Sequence, residues 1–286
     1  MSTAAIDGRG GRDAGWRGDD FPAWLQPMLV KELRQGVQAG VFRWTFVCFQ
    51  AALFLVFSLQ VLVAGTDSGA FAFFFWLAAV AAIALLIPLR GLGGIGGERA
   101  GNGLDLLQLT RLSATRIVLG KWASLVTQAA VVAVTLLPYL VLRYFFGGVD
   151  VLGELAWLGW ILAVSAVVAA AALALSTLPM WLRIGIGAVS CGGVLVLFAA
   201  IVDGPLVLVF GRLDAVARIG LLAVLAVHAV AFLEFAAARI APAAENHAAR
   251  KRLLALALAA AWVVAGWTGT MRSSIATFVV TAPLLV

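Results

Sequence analysis

Charge is scarce in this chain. Of its 286 residues only 12% are Asp, Glu, Lys or Arg, about half of the roughly 25% that a soluble domain carries. At the same time 63% are hydrophobic and the mean hydropathy is +1.05. A soluble protein of this length could not hide so much apolar surface, which excludes an ordinary cytosolic enzyme; the composition equally excludes a disordered chain. Cysteine is scarce too. Cys48 and Cys191 are the only two, each inside an apolar run and without CxxC spacing, which excludes a secreted disulfide scaffold and a cysteine metal site. No Asn-x-Ser/Thr acceptor occurs. The first 20 residues are polar (Arg9, Arg12, Asp13, Arg17, Asp19, Asp20) with no early apolar stretch, so no cleavable signal peptide is expected.

What is abundant is long apolar runs. A membrane span takes about 20 residues, and runs of that order lie at 43–65, 70–89, 121–146 (interrupted by Pro138), 154–178, 184–202, 217–238 and 253–270. Residues 203–215 and 275–286 are apolar in part but too short to cross. The pattern predicts an all-α polytopic membrane protein, a bundle of about six to eight transmembrane helices. Residues 1–20 read as a flexible cytoplasmic tail. In 21–41, Trp24, Leu25, Met28, Leu29, Leu33 and Val37 recur at helical spacing, while Gln26, Lys31, Arg34, Gln35 and Gln38 fill the other face. That is an amphipathic helix too polar to span, expected to lie in the interface before the first span.

Orientation follows from Lys and Arg. With the N-terminus in the cytoplasm, 16 of the 20 fall in inner segments and four outside, at Arg143, Arg212, Arg218 and Arg272. The net charge of +6 therefore reads as inner-loop charge facing anionic lipid rather than a nucleic-acid patch.

The most informative polar stretch is 90–120. Gly91, Gly93 and Gly96 make G-x-G-x-x-G, but they follow a membrane helix and not a strand, so they read as a hinge and not a dinucleotide site. Walker A is absent: Gly120-Lys121 has Thr115 where the first glycine would stand. Asn102 can cap a short helix carrying Leu104, Leu106, Leu107 and Leu109, with Asp105 in its first turn; Thr110 to Ser113 then break it, and Ser113 can cap the helix into the third span. Such an apolar helix either docks on a partner or packs on its own spans. Within the spans, His228 and Glu234 stand about 120° apart at 100° per residue. His228 fits either a pathway-lining residue or a hydrogen-bonded buried histidine, and Glu234 can snorkel or pair with Arg239. Arg143, near Tyr139 and Tyr144, is expected to anchor at the outer interface. Gln50, Gln60 and Gln128 are candidates for polar contacts between helices. No DDxxD, HExxH or GxSG pattern occurs, and Asp203-Gly204 lacks the further aspartates of a CDP-alcohol transferase.

The run Glu98-Arg99-Ala100-Gly101-Asn102-Gly103-Leu104-Asp105-Leu106-Leu107-Gln108-Leu109-Thr110-Arg111-Leu112-Ser113, followed by Ile117-Val118-Leu119-Gly120-Lys121, resembles the membrane subunit of ABC-2-type transporters. Those permeases carry an "ERE-x-GTLE-LLL-TPLS…I-x-GK" pattern between their second and third spans. Pro27 to Arg34 is similar to the family's interfacial segment. Arg111 stands where the family usually has proline, Gln108 interrupts the leucine run, and the chain continues past the family's six spans. The resemblance implies a six-span domain over 42–240 with extra span or spans in 241–286, in the plasma (bacterial inner) membrane. Glu98, Gly103, Leu104, Asp105, Leu107, Thr110, Leu112 and Ser113 would form the ATPase-coupling interface; Lys31, Glu32 and Arg34 would belong to the interfacial helix. It implies a separate ABC ATPase holding ATP and magnesium, a second permease subunit as homo- or heterodimer, contact with membrane lipids, no nucleic acid, and no metal, cofactor or catalytic site in this chain. An ion-coupled secondary carrier using His228 and Glu234, or a polytopic membrane enzyme acting on lipids, are the alternatives.

Overall fold

A computed structural model describes residues 27–62, 68–96, 113–147, 150–185, 215–241 and 248–267. They are helical, with no strand among them. The elements are α1 (Pro27–Gln38), α2 (Gly40–Leu62), α3 (Ser68–Val80), α4 (Ile87–Leu89), α5 (Ala114–Val134), α6 (Leu137–Gly147), α7 (Val151–Ser176), α8 (Ala215–Ile240) and α9 (Ala248–Trp267). Among the described residues five stretches are long and apolar enough to cross a membrane: Gly40–Leu62, Ala72–Gly96, Ala114–Phe145, Val151–Ser176 and Arg218–Ile240. The chain is a multi-pass helical membrane protein. α9, expected as a seventh span, is not among the five, and the expected fifth span at 184–202 falls almost wholly outside the described residues, as does the tail 1–20.

The helix ends follow local chemistry. Asp150 caps α7, its carboxylate accepting from Leu152 N and Gly153 N at 3.1 Å each. At the other end the hydroxyls of Ser176 and Thr177 bond back to Leu173 O and Ala174 O at 2.6 and 2.7 Å. The third span breaks at Thr135–Leu136, where Thr135 Oγ1 donates to Val132 O at 2.7 Å. Pro138, one turn on, has no N–H to offer Val134 O. The break was legible as Pro138, and the helix leading into the span starts at Ala114 with Ser113 in the capping position, in extended conformation at φ −67° and ψ 147°.

The second span, Ala72–Gly96, is irregular. α3 passes into a π-helical turn, Ala81–Leu86, then α4, then a 3-10 turn, Arg90–Gly93. In that register Ile87 N–H bonds to Ala82 O. The next such bond would need an N–H at Pro88, and proline has none. Ile83 O is thereby left without a donor from its own helix. Ser165 of α7 supplies one, its hydroxyl reaching Ile83 O at 2.7 Å in the core.

Among the described residues two apolar clusters fill the bundle. One holds Phe49, Leu53, Phe75, Ile83, Ala129, Leu136 and Leu158. The other holds Ile95, Ala114, Ile117, Leu173, Ala236 and Ala237, at the end that the Lys and Arg bias puts in the cytoplasm. In this inner cluster Ala169, Ala170, Ala236 and Ala237 are fully buried. Alanine on facing helices lets the backbones of α7 and α8 approach closely, as membrane helices require where lipid is as apolar as leucine.

Candidate coupling site

The 90–120 interlude is described at both of its ends. Ile95 (1% exposed) closes the second span and Ala114 (5%) opens α5. Both belong to the inner cluster, so the intervening segment starts and finishes on one packed unit. Ser113 acts through its backbone: its carbonyl accepts from Arg116 N and Ile117 N at 3.0 and 3.2 Å, and its side chain makes no capping bond. Glu98, Gly103, Leu104, Asp105, Leu107, Thr110 and Leu112 lie outside the described residues.

Polar contacts wire these helix ends to the rest of the bundle. Lys121 on α5 pairs with Glu32 on α1, Nζ to Oε1 at 3.0 Å, with side-chain exposures of 6% and 17%. Arg90, in the second span, reaches both neighbours: one guanidinium nitrogen donates to Gln128 Oε1 of α5 and the other to Gly36 O of α1 at 3.0 Å. Its charge also lies 5.6 Å from the centre of the Phe42 ring. Gln128 completes its amide by donating to Ser124 Oγ at 3.0 Å. Gly36 lies against this amide: a Cβ there would overlap the end of the Gln128 side chain, which would have to shift out of its bonded position. Trp122 ties α5 to α7 through Nε1 and Ala166 O at 2.8 Å. These are charge-assisted or buried bonds in a low-dielectric setting, where losing one partner is costly.

Arg183 does the same for the fourth span. Its guanidinium donates to Leu92 O, Ser176 O and Leu178 O at 3.1 Å each. It thus covers the carboxyl-terminal carbonyls of α7 and holds the 3-10 turn against them. Gly96 makes room for it: a Cβ there would stand 2.8 Å from Nη2 and 3.0 Å from Ser176 O. The glycine pattern read as a hinge is, at Gly96, a close approach.

α1 keeps Lys31, Arg34, Gln35 and Gln38 exposed, as its periodicity predicts. Glu32 does not share that face. It turns into the bundle toward Lys121, and the contact face of α1 is polar at its centre rather than a purely apolar stripe. Sequence reasoning missed Arg90 and the pairing of Lys121. The available signal was a lone carboxylate on an otherwise cationic helix. Gln128 does bridge helices as read. Gln50 Oε1 is buried without a hydrogen-bond partner among the described residues.

At the outer end Arg143 is not an interfacial anchor. It is buried and paired with Glu154 across the connection from α6 to α7, Nη1 to Oε1 at 2.8 Å and to Oε2 at 3.1 Å. Its guanidinium stacks 4.7 Å from the Phe75 ring centre. Pairing eleven residues on outcompetes snorkelling because both charges otherwise face hydrocarbon. His228 and Glu234 are both buried on α8, and His228 Nδ1 lies 2.7 Å from Val224 O, the hydrogen-bonded buried arrangement. Among the described residues no group of three or more His, Cys, Asp or Glu side chains gathers to hold a metal ion. Family models, curated proteins and solved structures were each compared with this chain, and none matches it.

Proposed function

We propose that the chain is the membrane-spanning permease subunit of an ABC-2-type exporter in the plasma (bacterial inner) membrane, driven by a separate ABC ATPase. The supporting observation is the wiring around the interlude. A partner that displaces 98–113 moves the end of the second span and the start of α5. α5 carries Lys121 to Glu32 of α1, Gln128 to Arg90 and Trp122 to Ala166 of α7. One push is therefore delivered to two further helices, α1 and α7, and tied back to the second span through bonded contacts, which is what conversion of an ATPase's closure into opening of a transport pathway needs. The pathway itself would be shared with a second permease subunit.

The test is a mild-detergent pull-down of the tagged protein from its native membrane with mass spectrometry of what comes along, beside Leu107→Asp. A stoichiometric P-loop ATPase that is lost in the variant is the expected result and places the docking contact in 98–113. Intact protein without an ATPase in either sample overturns the reading and moves His228 and Glu234 to the front as ion-coupling residues.

A further inference from the structure

We infer that α1 is a preformed binding strip for anionic phospholipid of the inner leaflet, with the headgroup over Lys31 and Arg34 and an acyl chain along Val30 and Val37. At 100° per residue, Lys31, Arg34, Gln35 and Gln38 fall within about 100° of arc, and all four are exposed. Glu32 is the helix's one acid, and it is turned away and neutralised by Lys121. The outward strip therefore carries cations with no carboxylate among them. Arg43 and Trp44, exposed in the first turn of α2, extend it with a further cation and an indole, the side chain favoured at headgroup level.

The two flanks of the strip differ. On one side lie Glu32 and Gly36, held inward by Lys121 and by Arg90 on Gly36 O. On the other, roughly 100° from Lys31 at 100° per residue, lie half-buried Val30 and exposed Val37, the latter 39% exposed. A cationic strip beside an apolar edge matches a phosphoglyceride and not a free phosphate, which has nothing to place on the valines. The inward contacts fix the rotation of α1, so the helix face is already presented and only the side chains remain to be ordered when the lipid arrives.

This inference rests on the membrane-spanning fold and not on the transporter reading. It is tested in detergent with short-chain phosphatidylglycerol, short-chain phosphatidylcholine and glycerol 3-phosphate as probes. Binding is measured for the wild type, for Lys31→Gln/Arg34→Gln and for Arg250→Gln/Lys251→Gln/Arg252→Gln, the last removing more exposed charge from the start of α9. A cation near an anionic surface is worth about a fivefold factor, so the first variant should lose roughly 25-fold in phosphatidylglycerol affinity. The α9 variant should stay near wild type, and neither probe lacking the charge or the chains should match phosphatidylglycerol. Losses that scale with charge removed in both variants, or equal binding of glycerol 3-phosphate, would overturn the inference. Circular dichroism of each variant separates lost binding from lost fold.

Discussion

Removing the Ser165 hydroxyl should cost far more than a surface serine would. Ser165→Ala leaves Ile83 O in the core with no donor: Ile87 N–H is committed to Ala82 O, and Pro88 has no N–H. Two magnitudes compete. Hydrogen bonds between membrane helices average about 0.6 kcal/mol and reach about 1.7, because the freed group usually finds another partner. An orphaned buried acceptor costs about 1–3 kcal/mol. Here no other partner exists in the helix, so the upper membrane value applies, about 1.5–2 kcal/mol. At about 2–4 °C per kcal/mol for large domains, the melting midpoint in micelles should fall by roughly 3–8 °C. Pro88→Ala restores an N–H that can reach Ile83 O, so Ser165→Ala on that background should cost about 1 kcal/mol less, a coupling that a double-mutant cycle measures directly. A Ser165→Ala midpoint within error of wild type, or strictly additive effects at 88 and 165, would refute the reasoning.

Two further outcomes follow from the charges and close contacts. Arg143→Met leaves Glu154 buried and unpaired and should destabilise the protein by about 3–5 kcal/mol, whereas Arg143→Met/Glu154→Leu should recover most of that loss, both read as melting midpoints. Gly36→Ala forces a methyl into the Gln128 amide and should cost about 1–3 kcal/mol. Gln128→Ala on top of it should recover part of the steric penalty, and limited proteolysis within α1 reports whether that helix has left its seat.

Hydropathy made the spans legible because in a bilayer length and apolarity alone decide what crosses. It could not show the π turn of Ala81–Leu86. A uniformly apolar run has no periodicity to shift, and the cause is one missing N–H at Pro88 met by a hydroxyl 82 residues away. Nor could it sort the charges. Arg143 beside tyrosines reads as an anchor until Glu154 is seen beside it, and Glu32, read only as part of the interfacial helix, is seen turned inward to Lys121. Charge sign and helix position were readable; the partner of each charge was a tertiary fact. Ser113 was placed correctly at a helix start, yet its role proved to be in the backbone and not the hydroxyl.

Three inner-end cations also share a direction in time, each having one partner made before it. Arg90 binds Gly36, 54 residues earlier, Lys121 binds Glu32, 89 earlier, and Arg183 binds Leu92, 91 earlier. As the chain leaves the ribosome, each cation that enters the membrane later meets a partner already made. Other contacts run the opposite way: Arg90 also takes Gln128, Trp122 takes Ala166, and at the outer end Arg143 must wait for Glu154. Loss of α1 would therefore surface first as misplacement of the second and third spans, since Lys121 would reach the bilayer without Glu32 and Arg90 without Gly36 O until Gln128 arrives.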